Sequence, residues 1–440
     1  MNQLKTYTLH NFRTIPQMDS VDEAIKKDIE IVGRVLPFKT NNYVVDELID
    51  WNDVEKDAIF TLNFPRREML SKQDYEAVAK LVNAETDKET IDKTVEKIRL
   101  SLNPNPGGQE KNVPNLGEIK LKGIQHKYPE TVLFFPSQGQ TCHAYCTFCF
   151  RWPQFSGLSG LKFAMKEADL LFKYLKEKKG VTDILFTGGD PMVMHASILE
   201  SYILPLLEPE FDHIRSIRIG SKALAYWPYR FLTDIDSNQI IELFSKVTAA
   251  GKNLSFQAHF SHPKELSTEA VRQAIAKIRQ TGAQIRTQSP LLHHINDRAE
   301  LWSEMWRKQV DLGCIPYYMF VVRDTGAKAY FEIPLERCWK IFKRSYRQVS
   351  GLCRTVRGPS MSDHAGKIQI LGVSEIKGEN VFVLRFLQGR NHKWVHKPFF
   401  AEYDSKATWF NQLKPAFDEK KFFFEEERNK TPGTRPFLFE

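Results

Sequence analysis

From residue 131 onward the chain alternates short apolar runs with longer amphipathic segments, and this alternation constrains the fold most strongly. Each run favours a β-strand and is followed by a segment whose apolar residues have helical spacing. The six runs are TVLFFPS, TDILFTGG, SIRIGS, LSFQAHF, QIRTQSPLL and PYYMFVV. Several of the helical segments end in glycine, which is typical of helix C-termini. Strands separated by helices predict a parallel sheet, because parallel neighbours need a long crossover connection.

Six such units are two short of a closed eight-fold barrel. The pattern therefore predicts an α/β fold with a partial (β/α)6 barrel open on one side, and a doubly wound sheet is the alternative. We expect three parts: an N-terminal helical segment and linker over 1–120, the barrel over 121–371, and a C-terminal extension over 372–440. In the first part, Ser71 is a candidate helix N-cap. In both architectures, ligands bind at the C-terminal ends of the strands.

Composition narrows the class of protein. The 440 residues carry 62 basic and 54 acidic side chains, a net charge of +8 without any long run of like charges. This mild excess permits anionic ligands but does not predict nucleic-acid binding. No apolar stretch approaches the roughly 18 residues needed to span a bilayer, and the first residues lack a signal-peptide pattern. We therefore expect a cytoplasmic protein that does not bind membranes.

Three of the six cysteines fall within eight residues, in TCHAYCTFC directly after the first predicted strand. Thiolates bind iron–sulfur clusters, and Cys142, Cys146 and Cys149 would leave one iron of a [4Fe–4S] cube without a protein ligand. An open iron can bind a small molecule. Two other interpretations remain. The spacing i, i+4, i+7 is also that of one buried face of a helix. The cysteines could also bind zinc with His143 as the fourth ligand, although its position next to Cys142 is geometrically unfavourable.

The C-x3-C-x2-C motif resembles the signature of the radical S-adenosylmethionine superfamily, and Phe148 before the third cysteine also matches. The resemblance implies that the open iron binds the methionine part of S-adenosylmethionine and that a 5′-deoxyadenosyl radical is released. A second match is Gly188-Gly189-Asp190, which closes the second strand. Two glycines allow close approach of a ligand to the backbone, so this turn is a candidate cofactor-binding site.

Over residues 126–373 the chain more closely resembles the lysine 2,3-aminomutase family. The shared landmarks, in order, are HKYPETVLFF, RIGSK, AHFSHPKE, TQSPLLHHIND and PYYM. Family members combine the radical with pyridoxal phosphate (PLP), which forms a Schiff base with an enzyme lysine and then with the substrate amine. The resemblance implies an amino-acid 2,3-aminomutase that moves an amino group from the α to the β carbon.

The resemblance also implies PLP-binding residues. In GPSMSDHAGKIQIL, Lys367 follows Gly366 where the family has its Schiff-base lysine, although the family's consecutive glycines are absent. Lys127 matches the first of two basic residues that hold the phosphate, and Thr131 stands where the second is expected. A threonine hydroxyl can donate one hydrogen bond but contributes no charge.

Substrate-binding residues follow from the same resemblance. Arg151, two residues after the last motif cysteine, matches the arginine that binds the substrate carboxylate. Asp297 matches the first of two acids that bind the lysine side chain, whereas Arg323 occupies the second position and Asp324 follows it. An arginine there suits an acidic or neutral side chain, so the substrate amino acid is left open.

Other polar residues at predicted strand ends are candidates for the cofactor pocket: Ser221, Gln257, His259 and Gln288. Cys314, Cys338 and Cys353 lie in or beside predicted helices and are expected in the core.

The expected partners are a small amino-acid substrate and a reducing electron donor such as flavodoxin or ferredoxin. The oligomeric state is left open, a homo-oligomer included. Two other functions remain: a radical S-adenosylmethionine enzyme of another reaction type without PLP, and a non-catalytic metal-binding scaffold.

Overall fold

The computed structural model describes residues 3–103, 112–157 and 163–425. Within these ranges the helices are α1 (Glu23–Val35), α2 (Ala58–Asn63), α3 (Lys72–Asn83), α4 (Lys88–Ser101), α5 (Ala168–Glu177), α6 (Ala196–Ile203), α7 (Ala223–Tyr226), α8 (Ser237–Ala249), α9 (Glu269–Gln280), α10 (Ala299–Asp311), α11 (Lys328–Phe331) and α12 (Leu335–Arg347). The strands are β1 (Thr6–Thr8), β2 (Lys39–Asn41), β3 (Asn115–Leu116), β4 (Ile119–Lys120), β5 (Ile124–Tyr128), β6 (Thr131–Phe134), β7 (Asp183–Phe186), β8 (Ser216–Ser221), β9 (Asn253–His259), β10 (Gln284–Leu291), β11 (Ile315–Val321), β12 (Arg357–Ser362), β13 (Gly366–Ile376), β14 (Glu379–Gly389) and β15 (Pro398–Glu402).

The six predicted strands are β6 to β11, and they form neighbouring parallel pairs in chain order. Helices α5, α6, α8, α9, α10 and α12 follow them, one for each strand. The α/β class with a central parallel sheet is therefore confirmed. The glycines that end α8 and α9, Gly251 and Gly282, have φ values of 75° and 86°, a left-handed conformation that a side chain would oppose.

The central sheet has eleven strands in the order β15-β14-β13-β12-β11-β10-β9-β8-β7-β6-β5. Strand β12 pairs in parallel with β11 and is a seventh parallel strand that the sequence pattern did not reveal. Antiparallel strands flank the parallel part, with β5 on one side and β13 to β15 on the other.

The sheet is strongly curved, because its edge strand β5 approaches the end of β12. The Nζ atom of Lys127 on β5 donates a hydrogen bond to the carbonyl oxygen of Asp363, directly after β12. Seven strand spacings lie between β5 and β12, so a flat sheet would separate these strands by roughly 34 Å. In the described part of the chain, ladder hydrogen bonds do not join β5 to β15.

The N-terminal helices share one hydrophobic core with the sheet. Ser71 caps α3 as predicted, because its side chain accepts a hydrogen bond from the Asp74 amide at 3.0 Å. The predicted linker falls partly on residues 104–111, outside the described residues, and is followed by the small hairpin of β3 and β4.

The C-terminal tail contributes strands to the central sheet. Strands β13 and β14 form a long antiparallel hairpin, and β13 runs without interruption through residues 371 and 372. Cys314, Cys338 and Cys353 are buried, which confirms their place in the core. No helix in the described ranges is both long enough and apolar enough to cross a membrane.

Candidate active site

The three motif cysteines lie on the loop that follows β6, and the N-terminal segment holds this loop in place. The Tyr145 amide donates to the Lys39 carbonyl at 2.8 Å, and the Thr147 amide donates to the Leu62 carbonyl at 2.9 Å. The fully buried Asn41 side chain donates to the His143 carbonyl at 3.2 Å. The cysteine loop is thus fixed by backbone groups more than 80 residues earlier in the chain, a contact that local sequence patterns do not reveal.

The thiols of Cys142, Cys146 and Cys149 are partly buried and influence one another electrostatically. Burial raises the pKa of all three, to about 12 for Cys146, and neighbouring thiolates add to the effect at Cys142. Three thiolates in this environment require positive charge, which the core of an iron–sulfur cluster supplies. Within the described ranges, no three His, Cys, Asp or Glu side chains are close enough together to bind one metal ion.

The Gly188-Gly189-Asp190 turn packs directly against the start of the cysteine loop. The Asp190 amide donates to the Thr141 carbonyl at 2.7 Å. A Cβ atom on Gly189 would lie only 2.6 Å from the Thr141 nitrogen, so only glycine allows this contact between two backbones. The turn therefore determines the position of the residue directly before Cys142.

The Asp190 carboxylate is buried and accepts hydrogen bonds from neighbouring groups of the protein. It is 2 % exposed and accepts hydrogen bonds from the amides of Met192 and Lys222, each at 2.9 Å. The Ser221 hydroxyl also bonds to it, and burial raises the pKa of Asp190 to about 6. The structure thus brings two predicted cofactor residues together, Asp190 and Ser221. Their hydrogen bonds join the end of β7 to the end of β8.

A buried ion pair lies beside these residues, and the sequence reasoning did not single it out. Lys222, in the RIGSK landmark, places Nζ 2.7 Å from the Glu265 carboxylate and 3.3 Å from the His259 carbonyl. The His259 ring packs on Phe148 of the cysteine loop with 5.6 Å between ring centroids. Burial and the Lys222 charge lower the pKa of His259 far below its ordinary value, so the ring is neutral.

The remaining two strand-end candidates face other neighbours. Gln257 is buried and its side-chain amide donates to the Ser255 hydroxyl at 2.8 Å. Gln288 lines a small internal gap with Trp302 and Trp306. The contacts described for both side chains are therefore structural ones.

Arg151 is a buried cation beside the cysteines. Its side chain is 7 % exposed, and its Nε and Nη2 atoms have no hydrogen-bond partner among the described residues. The guanidinium lies over the Phe135 ring, 4.3 Å from the centroid. Burial lowers the pKa of Arg151 to about 10, while the Cys149 and Cys142 thiolates favour its charged form. An unpaired buried guanidinium is costly, so its two free donors are suited to a carboxylate ligand.

Lys367 is the second residue of β13 and pairs with Ser362 at the end of β12. Its Nζ atom lies over the Tyr318 ring at 3.9 Å and near the Phe320 ring at 5.3 Å, both on β11. Burial lowers the pKa of Lys367 to about 7, and the nearby charges of Arg218 and Arg357 act in the same direction. A lysine that is largely neutral at physiological pH is a competent nucleophile toward an aldehyde.

The other predicted phosphate residue, Lys127, lies at the turn that leads into Lys367. Its Nζ donates to the Asp363 carbonyl, and burial lowers the pKa of Lys127 to about 7. Arg390, just after β14, binds the same turn through the His364 carbonyl at 2.9 Å. Sequence reasoning missed Arg390, because a residue in the C-terminal hairpin gives no local signal of proximity to this turn.

Thr131 does not reach this turn. Its hydroxyl donates to the Asp183 carboxylate at 3.2 Å, and that carboxylate forms an ion pair with Arg218 at 2.5 Å. The Thr131 hydroxyl, which stands where the family has its second basic residue, therefore already forms a hydrogen bond to the Asp183–Arg218 ion pair.

Arg323 connects the Lys367 region with the cysteine loop. Its guanidinium lies 5.6 Å from the centroid of the Phe150 ring, and Phe150 directly follows Cys149. The Asp324 carboxylate is 3.7 Å from Arg323 Nε. Arg323 is also close enough to Lys127 to lower the pKa of that lysine. The predicted substrate, phosphate and cluster residues are thus brought together around Arg323.

Asp297 lies apart from this group. Its carboxylate forms an ion pair with Arg337 at 2.8 Å and lies 3.6 Å from His293. It lines a separate cavity of ≈ 370 Å³ together with Asp57 and Lys264.

The chain is similar in sequence to proteins named lysine 2,3-aminomutases. The chain is 29 % identical over 404 residues to a protein of Aquifex aeolicus named "Putative L-lysine 2,3-aminomutase", covering 92 % of this chain and 95 % of that protein. It is 25 % identical over 310 residues to the L-lysine 2,3-aminomutase of Acetoanaerobium sticklandii, covering 70 % and 71 % of the two chains. No protein-family model matches.

Among solved structures, a radical SAM methyltransferase from Sphaerobacter thermophilus aligns with a TM-score of 0.37 and 16 % identity. The alignment covers 53 % of this chain and 68 % of that one. A likeness this weak has no bearing on the activity.

Proposed function

We propose that this chain, a divergent lysine 2,3-aminomutase-like member of the radical S-adenosylmethionine superfamily, is a PLP-dependent amino-acid 2,3-aminomutase. One observation carries the proposal. Arg323 contacts Phe150 of the cysteine loop and is also close to Lys127 and to Asp363, which lies on the turn that leads into Lys367. A radical source and a Schiff-base lysine in one site are the two requirements of this chemistry.

We also propose an architecture for this chain. A partial (β/α)6 barrel is supported by the curved parallel sheet, in which β5 approaches the end of β12. We retain the three parts, 1–120, 121–371 and 372–440, as functional units: a support for the cysteine loop, the catalytic barrel and a C-terminal cover.

When bound, a reduced [4Fe–4S] cluster with S-adenosylmethionine supplies a 5′-deoxyadenosyl radical for hydrogen abstraction, and PLP supplies an aldehyde that holds the substrate amine. Cys142, Cys146 and Cys149 bind three irons of the cluster. The strand-end turns beside the cysteine loop contain Gly188, Gly189, Asp190, Ser221 and His259. These turns bind S-adenosylmethionine.

The chain's own side chains orient the substrate and transfer protons. Arg151 binds the substrate carboxylate through its two unpartnered nitrogens. Lys367, whose Nζ is largely neutral near pH 7, would hold the PLP aldehyde until the substrate amine replaces it. The rings of Tyr318 and Phe320 pack against Lys367 Nζ and shield part of it. The reaction is an isomerisation, so substrate and product have the same atoms.

The substrate side chain is proposed to be neutral or acidic. Arg323 and the adjacent Asp324 lie where a lysine-specific site needs an acid, and a guanidinium repels an ammonium group. The other predicted acid, Asp297, is already paired with Arg337 in a different cavity.

One observation favours a second candidate, a radical S-adenosylmethionine enzyme without PLP. Thr131 is committed to Asp183 and cannot complete the family's phosphate clamp. Borohydride reduction of the PLP-treated chain separates the two candidates. A reduced PLP adduct on Lys367 supports the aminomutase. An intact cluster that forms 5′-deoxyadenosine without such an adduct supports the alternative.

The decisive test uses anaerobically reconstituted enzyme with S-adenosylmethionine, PLP and the twenty common amino acids. We expect 5′-deoxyadenosine and one β-amino isomer, separated by chromatography and identified by mass. A donor such as reduced flavodoxin or ferredoxin, working in the cytoplasm, is proposed to supply the electron. Zinc in place of iron and labile sulfide would instead indicate a non-catalytic scaffold.

A further inference from the structure

The turn between β12 and β13 is bound by two cationic side chains that come from distant strands. Lys127 on β5 donates to the Asp363 carbonyl, and Arg390 after β14 donates through Nε to the His364 carbonyl. These carbonyls belong to consecutive residues, whose Cα atoms are about 3.8 Å apart. After burial, the charge of Arg390 is the next cause of the lowered pKa of Lys127, so the two groups lie near each other and within reach of a single small anion.

Arg390 is fixed in this position by further hydrogen bonds. Its backbone amide donates to the Ala365 carbonyl at 3.0 Å, and its Nη2 atom donates to the Asn112 side chain. A guanidinium has five N–H donors and an ammonium three, so both groups retain donors beyond those used in these bonds. The free donors can bind a phosphate group in the way that arginine and lysine commonly do.

Basic groups outnumber carboxylates around the turn. The basic groups are Lys127, Arg323, Lys367 and Arg390, of which the two guanidiniums are charged and Lys367 is largely neutral near pH 7. The carboxylates beside them are Asp363, which accepts the Ala365 amide at 3.0 Å, and Asp324. Burial and the charge of Arg390 lower the pKa of Lys127, so an anionic ligand at this turn would favour the charged form of that lysine.

We infer that Arg390, paired with Lys127, is the second phosphate-binding residue of the PLP site and replaces the basic residue missing at Thr131. This inference rests on the proposed function, because it needs PLP to occupy the site. The Thr131 hydroxyl is bound to Asp183, whereas Arg390 reaches the turn that leads into Lys367. The C-terminal hairpin thus supplies a charge that β6 does not.

The test compares two ligands that differ only in the phosphate. PLP and pyridoxal are each titrated against wild-type and Arg390→Gln chains, following the absorbance of the Lys367 adduct with Lys367→Ala as the blank. We expect Arg390→Gln to weaken PLP binding by at least tenfold and to leave pyridoxal binding within twofold. Arg385→Gln is the matched control, since Arg385 lies on β14 just before Arg390 and donates instead to Gln369.

Each outcome decides a different point. An equal effect of Arg390→Gln on both ligands, or none on either, overturns the role of Arg390 and leaves the aminomutase proposal intact. A wild-type chain that binds neither ligand overturns both proposals. Unfolded protein lowers the binding of both ligands together, so the ratio of the two affinities is insensitive to partial unfolding. Arg390→Lys, which keeps the charge, should recover part of the PLP preference.

Discussion

The Nζ atom of Lys367 lies 3.9 Å from the centroid of the Tyr318 ring. Two strand pairings produce this contact, because β13 pairs with β12 and β12 pairs with β11, which carries Tyr318. An aromatic face attracts an ammonium group but cannot replace its water shell completely. The lysine therefore loses hydration and favours its neutral form, the form that reacts with carbonyl groups.

The pH dependence of adduct formation should reflect this burial. Burial lowers the pKa of Lys367 to about 7, with Arg218 and Arg357 assisting and Tyr317 opposing. The neutral fraction of the amine rises as the pH increases through the pKa, so PLP capture should have its midpoint near pH 7. Borohydride trapping with peptide mapping of Lys367 measures it. A midpoint near that of an ordinary lysine, about 10.5, would contradict the burial argument.

The same lysine links stability to pH in the cofactor-free chain. Between pH 7 and 10.5 an unfolded lysine is protonated while folded Lys367 is neutral, so the unfolded state binds more protons. The free energy of unfolding should therefore rise with pH across this window in the wild type. Urea titrations at several pH values should show a smaller rise in Lys367→Met.

Each motif cysteine should be needed for the cluster. Replacing Cys142, Cys146 or Cys149 with alanine removes one of three ligands, so bound iron should fall from about four per chain to well below one. Iron and labile-sulfide assays after reconstitution measure this loss. Cys338→Ala is the control, since Cys338 is fully buried in the core and should leave the iron content unchanged. Normal iron and unchanged 5′-deoxyadenosine formation in any motif variant would refute the cluster assignment.

Gly189→Ala should displace the start of the cysteine loop. The added methyl group would lie 2.6 Å from the Thr141 nitrogen and closer still to the Thr141 carbonyl oxygen, and Thr141 directly precedes Cys142. We expect a loss of about 1–3 kcal/mol in stability and poor cluster retention. Gly351→Ala is the matched control, because a Cβ atom there meets no neighbour within 4 Å. Chemical denaturation and the visible absorbance of the cluster distinguish the two variants.

Asn41→Ala tests whether the N-terminal segment supports the loop. The buried Asn41 side chain donates to the carbonyls of His143 and Tyr226, and its removal leaves both without this donor. A buried carbonyl that loses its partner costs about 1–3 kcal/mol. We expect lower stability together with faster loss of the cluster to a chelator. Asn42→Ala, at a more exposed site, should change neither quantity by more than about 0.5 kcal/mol.

The strand and helix pattern was predictable because hydrophobic periodicity is local. All six strands, their following helices and the Ser71 cap were confirmed. Strand β12 was missed, since RGPSMS has too little apolar alternation to indicate a strand. The supports of the cysteine loop were also missed, because Asn41 and Lys39 act through contacts that span about 100 residues.

The sequence by itself determined the chemistry that the chain can offer: three closely spaced thiols, a glycine turn at the next strand end, and a lysine at the start of a late strand. These features depend on residue type and on spacing over a few positions. Only the tertiary structure decided which charges surround Lys367. Curvature of the sheet brings β5, β12 and β14 together, so Lys127 and Arg390 meet at one turn although 263 residues separate them in the chain.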